Sequence, residues 1–98
     1  MPRLYAPDTQ CDESDKIWFR FTVETQGSIE LRIRNLNGVL VRTLTCGTLP
    51  MGDYTSRQKA VLWDRTDGDG SRVASGSNYS VQIVFNGSGK GQVVFTLR

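Results

Sequence analysis

From Ile17 onward, apolar and polar side chains alternate along the chain. In IWFRFTV, Ile17, Phe19, Phe21 and Val23 fall on one side of an extended backbone and Trp18, Arg20 and Thr22 on the other. That period of two marks a strand with one face buried. After a turn at Gln26-Gly27, SIELRIR repeats the pattern, with Ile29, Leu31 and Ile33 inward and Glu30, Arg32 and Arg34 outward. Asn35-Leu36-Asn37-Gly38 supplies the Asn-Gly pair that accepts the positive φ angles of a tight hairpin. VLVRTLT then reads as a third strand. CGTLPMGDYTSRQ, punctuated by Gly47, Pro50 and Gly52, reads as a longer connection on which the chain crosses between sheets. KAVLWD is a fourth strand and NYSVQIVF a fifth; NGSGKG is a glycine-rich turn, and QVVFTLR closes the chain with Val93, Phe95 and Leu97 on one face.

Strands spaced by roughly ten residues, Gly- and Asn-rich turns and no helical period predict an all-β fold, an antiparallel sandwich of about seven strands. The seventh would come from residues 1–16, read as an N-terminal acidic arm or an extra edge strand ahead of one domain at 17–98. A chain of 98 residues makes one such domain and buries a simple two-layer core, with little room for a deep desolvated cleft.

Charge changes the picture only at the N-terminus. The net charge is +2, but residues 1 to 15 hold Asp8, Asp12, Glu13 and Asp15 against a single Arg3. The remainder is mildly basic, so the arm is expected either to be solvated or to dock on a basic surface, its own or a neighbour's. So small an excess points to no nucleic-acid partner. The start MPRLYAPDTQ lacks a cationic and apolar leader, so no Sec-type signal is visible. No apolar run reaches the ~18 residues of a membrane span, and no membrane insertion is expected.

The chain has no histidine and two cysteines, Cys11 and Cys46. Two thiols without histidine do not complete an ordinary four-ligand zinc site, and neither thiol nor hydroxyl has the usual catalytic base. The two cysteines are either a disulfide pinning the arm to the body or a pair of free thiols. No cofactor is expected.

The acidic candidates lie in VLWDRTDGDGSRVASGSNYS. Counted from Asp64 or from Asp67, the spacing fails the EF-hand calcium register, which needs oxygen ligands at alternate positions, a central glycine and a distal acid. Asp64, Asp67 and Asp69 are therefore chiefly turn-forming, as side chains that cap nearby backbone N–H groups, and only weak candidates for a metal. Carboxylates between glycines in a hairpin also lack the burial that raises a general acid's pKa.

The same segment carries a resemblance. IELRIRNLNGVLVRTL, then MGDY, then VLWDRTDGDGSRVASGSNYSVQI resembles the Ig-like domain family first named for the flagellar hook-capping protein, over about two-thirds of the chain. The family pattern runs from a polar-x-x-Gly turn and a "VRTL" strand to W-D-G-x-D-x-x-G, a further glycine and a tyrosine that begins a strand. Gly38, Val41, Arg42, Leu44, Gly52, Trp63, Asp64, Asp67, Gly70, Val73, Gly76 and Tyr79 fall in place. Arg65 and Thr66 stand where the family has glycine after Trp-Asp, and one extra residue separates Gly76 from Tyr79, so a locally rebuilt turn is expected. The resemblance implies a fibronectin-like sandwich without catalysis. It also implies a spacer, an interaction surface or a subunit of an extracellular assembly, with Trp63 in the core.

The expected function is thus a non-enzymatic structural or protein-docking module, a subunit of an extracellular, cell-surface or virion assembly. Its partners would be other protein subunits, including copies of itself. Trp18, Arg20, Arg32 and Arg34, on outward positions, are the candidate interface. The alternative is a carbohydrate-binding module in which an exposed aromatic, Trp18, stacks on a sugar ring.

Overall fold

The computed structural model describes residues 3–5, 17–55, 59–73 and 76–96. Every regular element among them is a strand: β1 (Arg3–Leu4), β2 (Ile17–Phe19), β3 (Phe21–Val23), β4 (Gly27–Asn35), β5 (Leu40–Leu49), β6 (Gly52–Tyr54), β7 (Val61–Trp63), β8 (Asn78–Phe85) and β9 (Ser88–Thr96). All pairings are antiparallel. The order β5-β4-β8-β9 makes a four-stranded sheet, while β1-β3-β6 and β2-β7 make the opposing layer.

The opposing layer is built from broken strands. β2 and β3 are two halves of one alternating run, because Ile17, Phe19, Phe21 and Val23 are all buried. The halves pair with different partners, Phe19 with Val61 and Phe21 with Tyr54, and the break falls at Arg20. The described residues make an Ig-like β-sandwich of nine strands, with β2 and β3 as the halves of one run.

One apolar cluster holds the layers together. Ile17, Phe19, Phe21 and Val23 face Ile29, Leu31 and Ile33 of β4 and Val81 and Ile83 of β8. At one end the core is aromatic: Trp63 lies 6.2 Å from Phe19, 6.1 Å from Tyr79 and 6.3 Å from Phe95, the last two edge to face. Such pairs add to the burial of large apolar side chains, about 25 cal/mol per Å2 of apolar surface.

Several boundaries differ from the sequence reading, beginning with β5, which runs on through residues 46–49 where the connection was expected to start. Gly27 is not in the turn but opens β4, where the Phe85 ring occupies the position that a Cβ would take. GDY inside the long connection forms β6, because Tyr54 stacks on Phe21 across the sheet. Finally, the last turn is only Asn86-Gly87, both at positive φ (50° and 84°), so β9 begins at Ser88. The rest of the expected glycine-rich turn is strand, accommodated by a register shift opposite Ile83 and Val84.

Candidate functional site

The Asp/Gly segment leaves β7 and crosses the flank of the sandwich to the β5 edge. Its residues close a small hairpin in which Thr66 bridges Arg72 and the Val73 amide donates to the Arg65 carbonyl at 2.8 Å. Asp67 shapes the tip: its Oδ1 accepts from the amides of Asp69 (2.9 Å) and Ser71 (3.0 Å). Gly70 supplies the φ of 85° that the return requires. Asp64 accepts from the amide of Thr66 at 3.2 Å and its hydroxyl at 2.5 Å. The Thr66 hydroxyl bond holds the Asp64 carboxyl below its ordinary pKa. Slight burial opposes this, and the Thr66 amide and the Arg42 charge reinforce it.

One local and one long-range anchor fix this hairpin. Trp63 Nε1 donates to the Thr66 carbonyl at 2.9 Å, so the fully buried indole has its one donor satisfied. From β5, Arg42 Nη1 donates to Thr66 Oγ1 (3.1 Å) and to the Asp67 carbonyl (2.8 Å). The Gly68 amide completes the junction by donating to the Val41 carbonyl at 3.0 Å. Arg42 shares the inward row of β5 with Leu44, and its polarity on that row is the signal that marks it out. Beside the junction an open cleft of about 850 Å3 is lined by Val39, Val41, Arg42, Asp67, Val73 and Tyr79 among others. Among the described residues no three His, Cys, Asp or Glu side chains converge as a metal site.

Arg65 stands at φ 64°, the left-handed region that glycine occupies freely. That is the physical reason the resembled pattern has glycine after Trp-Asp. Its side chain is only 2% exposed and was not anticipated from sequence, where an arginine in a turn reads as solvated.

The outward arginines are not brought together. Arg20 lies at the β2–β3 break in one layer, whereas Arg32 and Arg34 lie on β4 in the other, with the core between them. The candidate interface of Trp18, Arg20, Arg32 and Arg34 is thus divided between two separate places. The sequence shows that these positions point outward, but not which layer each strand joins. Arg32 pairs with Glu30 at 2.7 Å on its own strand. Trp18 is half-buried and sits opposite Leu62 across β2–β7.

Cys46 carries a free thiol on β5, and burial, with the Glu30 charge adding, pushes its pKa up to about 11. Cys11, the other half of the expected alternatives, lies outside the described residues, as does the acidic arm at 6–16.

A family model, the FlgD Ig-like domain, matches residues 8–89. The chain belongs to the FlgD Ig-like domain family. Comparison with curated proteins finds no match. Among eight solved chains that match is FlgD from P. aeruginosa, with a TM-score of 0.62 at 15% identity, covering 97% of this chain and 65% of that one. The likeness is one of fold, and the chain spans about two-thirds of that protein's length. Seen as a FlgD Ig-like domain, the chain's signature has one physical meaning. Its "VRTL" arginine and its Trp-Asp-x-x-Asp turn, some 24 residues apart, are the two halves of the flank junction.

Proposed function

We propose that the chain is a non-enzymatic structural and protein-docking module, working within a larger extracellular, cell-surface or virion assembly. The observation that carries this reading is the flank junction. The polar groups of the signature, Arg42, Asp64, Thr66 and Asp67, are bonded to one another and to local backbone. They therefore serve the architecture, and contact with partners falls to the outer faces of the two sheets. Membership of the FlgD Ig-like family supports the same reading. In it, residues 17–98 are the sandwich, and residues 1–16 are an N-terminal acidic arm or an extra edge strand.

Native mass spectrometry of the chain isolated with its assembly tests the proposal. A stoichiometric oligomer or a complex with other protein subunits is the expected result. Saturable binding to a polysaccharide that disappears in Trp18→Ala would sink it in favour of the carbohydrate-binding alternative.

A further inference from the structure

The outer face of the four-stranded sheet carries a cation that the fold does not neutralise. Arg32 has Glu30, and Arg42 has Thr66 and the Asp67 carbonyl. Arg34 has no acid paired with it among the described residues, and its Nη1 lies sealed from solvent without a hydrogen-bond partner.

The surroundings are those of a small recognition pocket. Arg34 pairs across the sheet with Leu40 on one side and Ser80 on the other, and Ser80 in turn pairs with Val94. Beside this row lies a groove of about 230 Å3, lined by Arg34, Leu36, Asn78, Ser80, Gln92 and Val94 among others, with no acidic residue in its wall. Leu36, Leu40 and Val94 are 77%, 50% and 67% exposed, an unusual concentration of aliphatic surface around one arginine. An arginine ringed by apolar groups that exclude water is the arrangement that concentrates binding energy at interfaces.

We propose that Arg34 and the groove between Leu36 and Val94 form a docking pocket for a single carboxylate side chain of a partner protein. Leu36, Leu40 and Val94 would cover the aliphatic residues beside that acid. A groove of this volume takes one side chain. Its single cation amid neutral amides and hydroxyls matches a singly charged carboxylate, which pairs with a guanidinium through charge-assisted hydrogen bonds. The proposal rests on the protein-docking reading above.

The first test titrates the isotope-labelled chain with acetate and with N-acetylglutamate N-methylamide at fixed ionic strength, with chloride as the control. Saturable shifts at the Arg34 Nε–H and at the methyl groups of Leu36, Leu40 and Val94 are expected. They should vanish in Arg34→Leu and persist in Arg32→Leu, with the dispersed spectrum of each variant reporting that it folds. Shifts that chloride reproduces, or that survive Arg34→Leu, overturn the pocket. The second test uses the native complex, in which Arg34→Glu should weaken assembly roughly tenfold or more. Assembly unchanged by Arg34→Glu overturns the pocket and leaves the docking reading standing. A wild-type chain that assembles with nothing, yet binds the carboxylate probe, removes the docking reading and overturns the assignment of a protein partner to the pocket.

Discussion

Arg42 connects two stretches of chain that also meet through the Gly68–Val41 backbone bond. Its guanidinium reaches the hydroxyl of Thr66 and the carbonyl of Asp67, so Arg42→Met keeps the aliphatic stem and removes both bonds. A loss of about 1.5–3 kcal/mol is expected, since the bonds involve a charged donor. Urea denaturation measures it. Combined with Thr66→Val, the two losses should fall short of their sum, because both variants break the same contact. At the tip, Gly70→Ala meets no neighbour but forces alanine to a φ of 85°, which costs about 1 kcal/mol. Asp64 adds a pH dependence. Its carboxyl is held below its unfolded pKa, so its contribution is present above the ordinary carboxylate range and disappears as pH falls through the folded value. Asp64→Asn should therefore flatten the acid limb of a melting-temperature profile, and an unchanged limb would refute the assignment. At this scale the Asp/Gly turn could be read in the sequence, because its chemistry is local. The burial of Arg65 could not, because it depends on a backbone angle and on packing that no spacing encodes.

Among the elements, the central strands should outlast the edges. β4 and β8 are hydrogen-bonded on both sides and carry Leu31, Ile33, Val81 and Ile83, all fully buried. Their amides should exchange with solvent most slowly, ahead of those of β5 and β9. β5 is an edge interrupted by register shifts near Cys46 and Val41 and by Gly47 at φ 74°, irregularities that discourage an uninvited strand. With its pKa near 11, the Cys46 thiol should alkylate slowly at pH 8 in a Cys11→Ser variant and rapidly once unfolded. Equal rates would contradict the burial. Alternation revealed the long strands well. It failed on β6, where only three residues extend and the stack of Tyr54 on Phe21 decides. It also failed on the start of β9, because glycines carry no hydropathy pattern, so Gly89 and Gly91 read as turn although they pair with β8.

For the whole molecule, the order β5-β4-β8-β9 has a long-range consequence: β4 must find β8, about 50 residues further along the chain, before the large sheet has a centre. Folding dominated by such pairings takes roughly milliseconds to seconds in small all-β domains. Stopped-flow tryptophan fluorescence should follow it through the burial of Trp63, and a microsecond phase carrying the full amplitude would contradict this topology. Sandwich class was legible because two-residue periods recur along the chain. The division of the arginines between layers was not, because alternation says which residues point outward and never from which sheet.

The flank junction has a mechanical side as well. Arg42 belongs to one sheet and its acceptors to the hairpin that follows the other, so a force that slides the sheets past each other loads these bonds in shear. That guanidinium shares the load with the Gly68–Val41 backbone bond and with the Trp63 indole on Thr66, so the hairpin works as a rivet with several shanks rather than one.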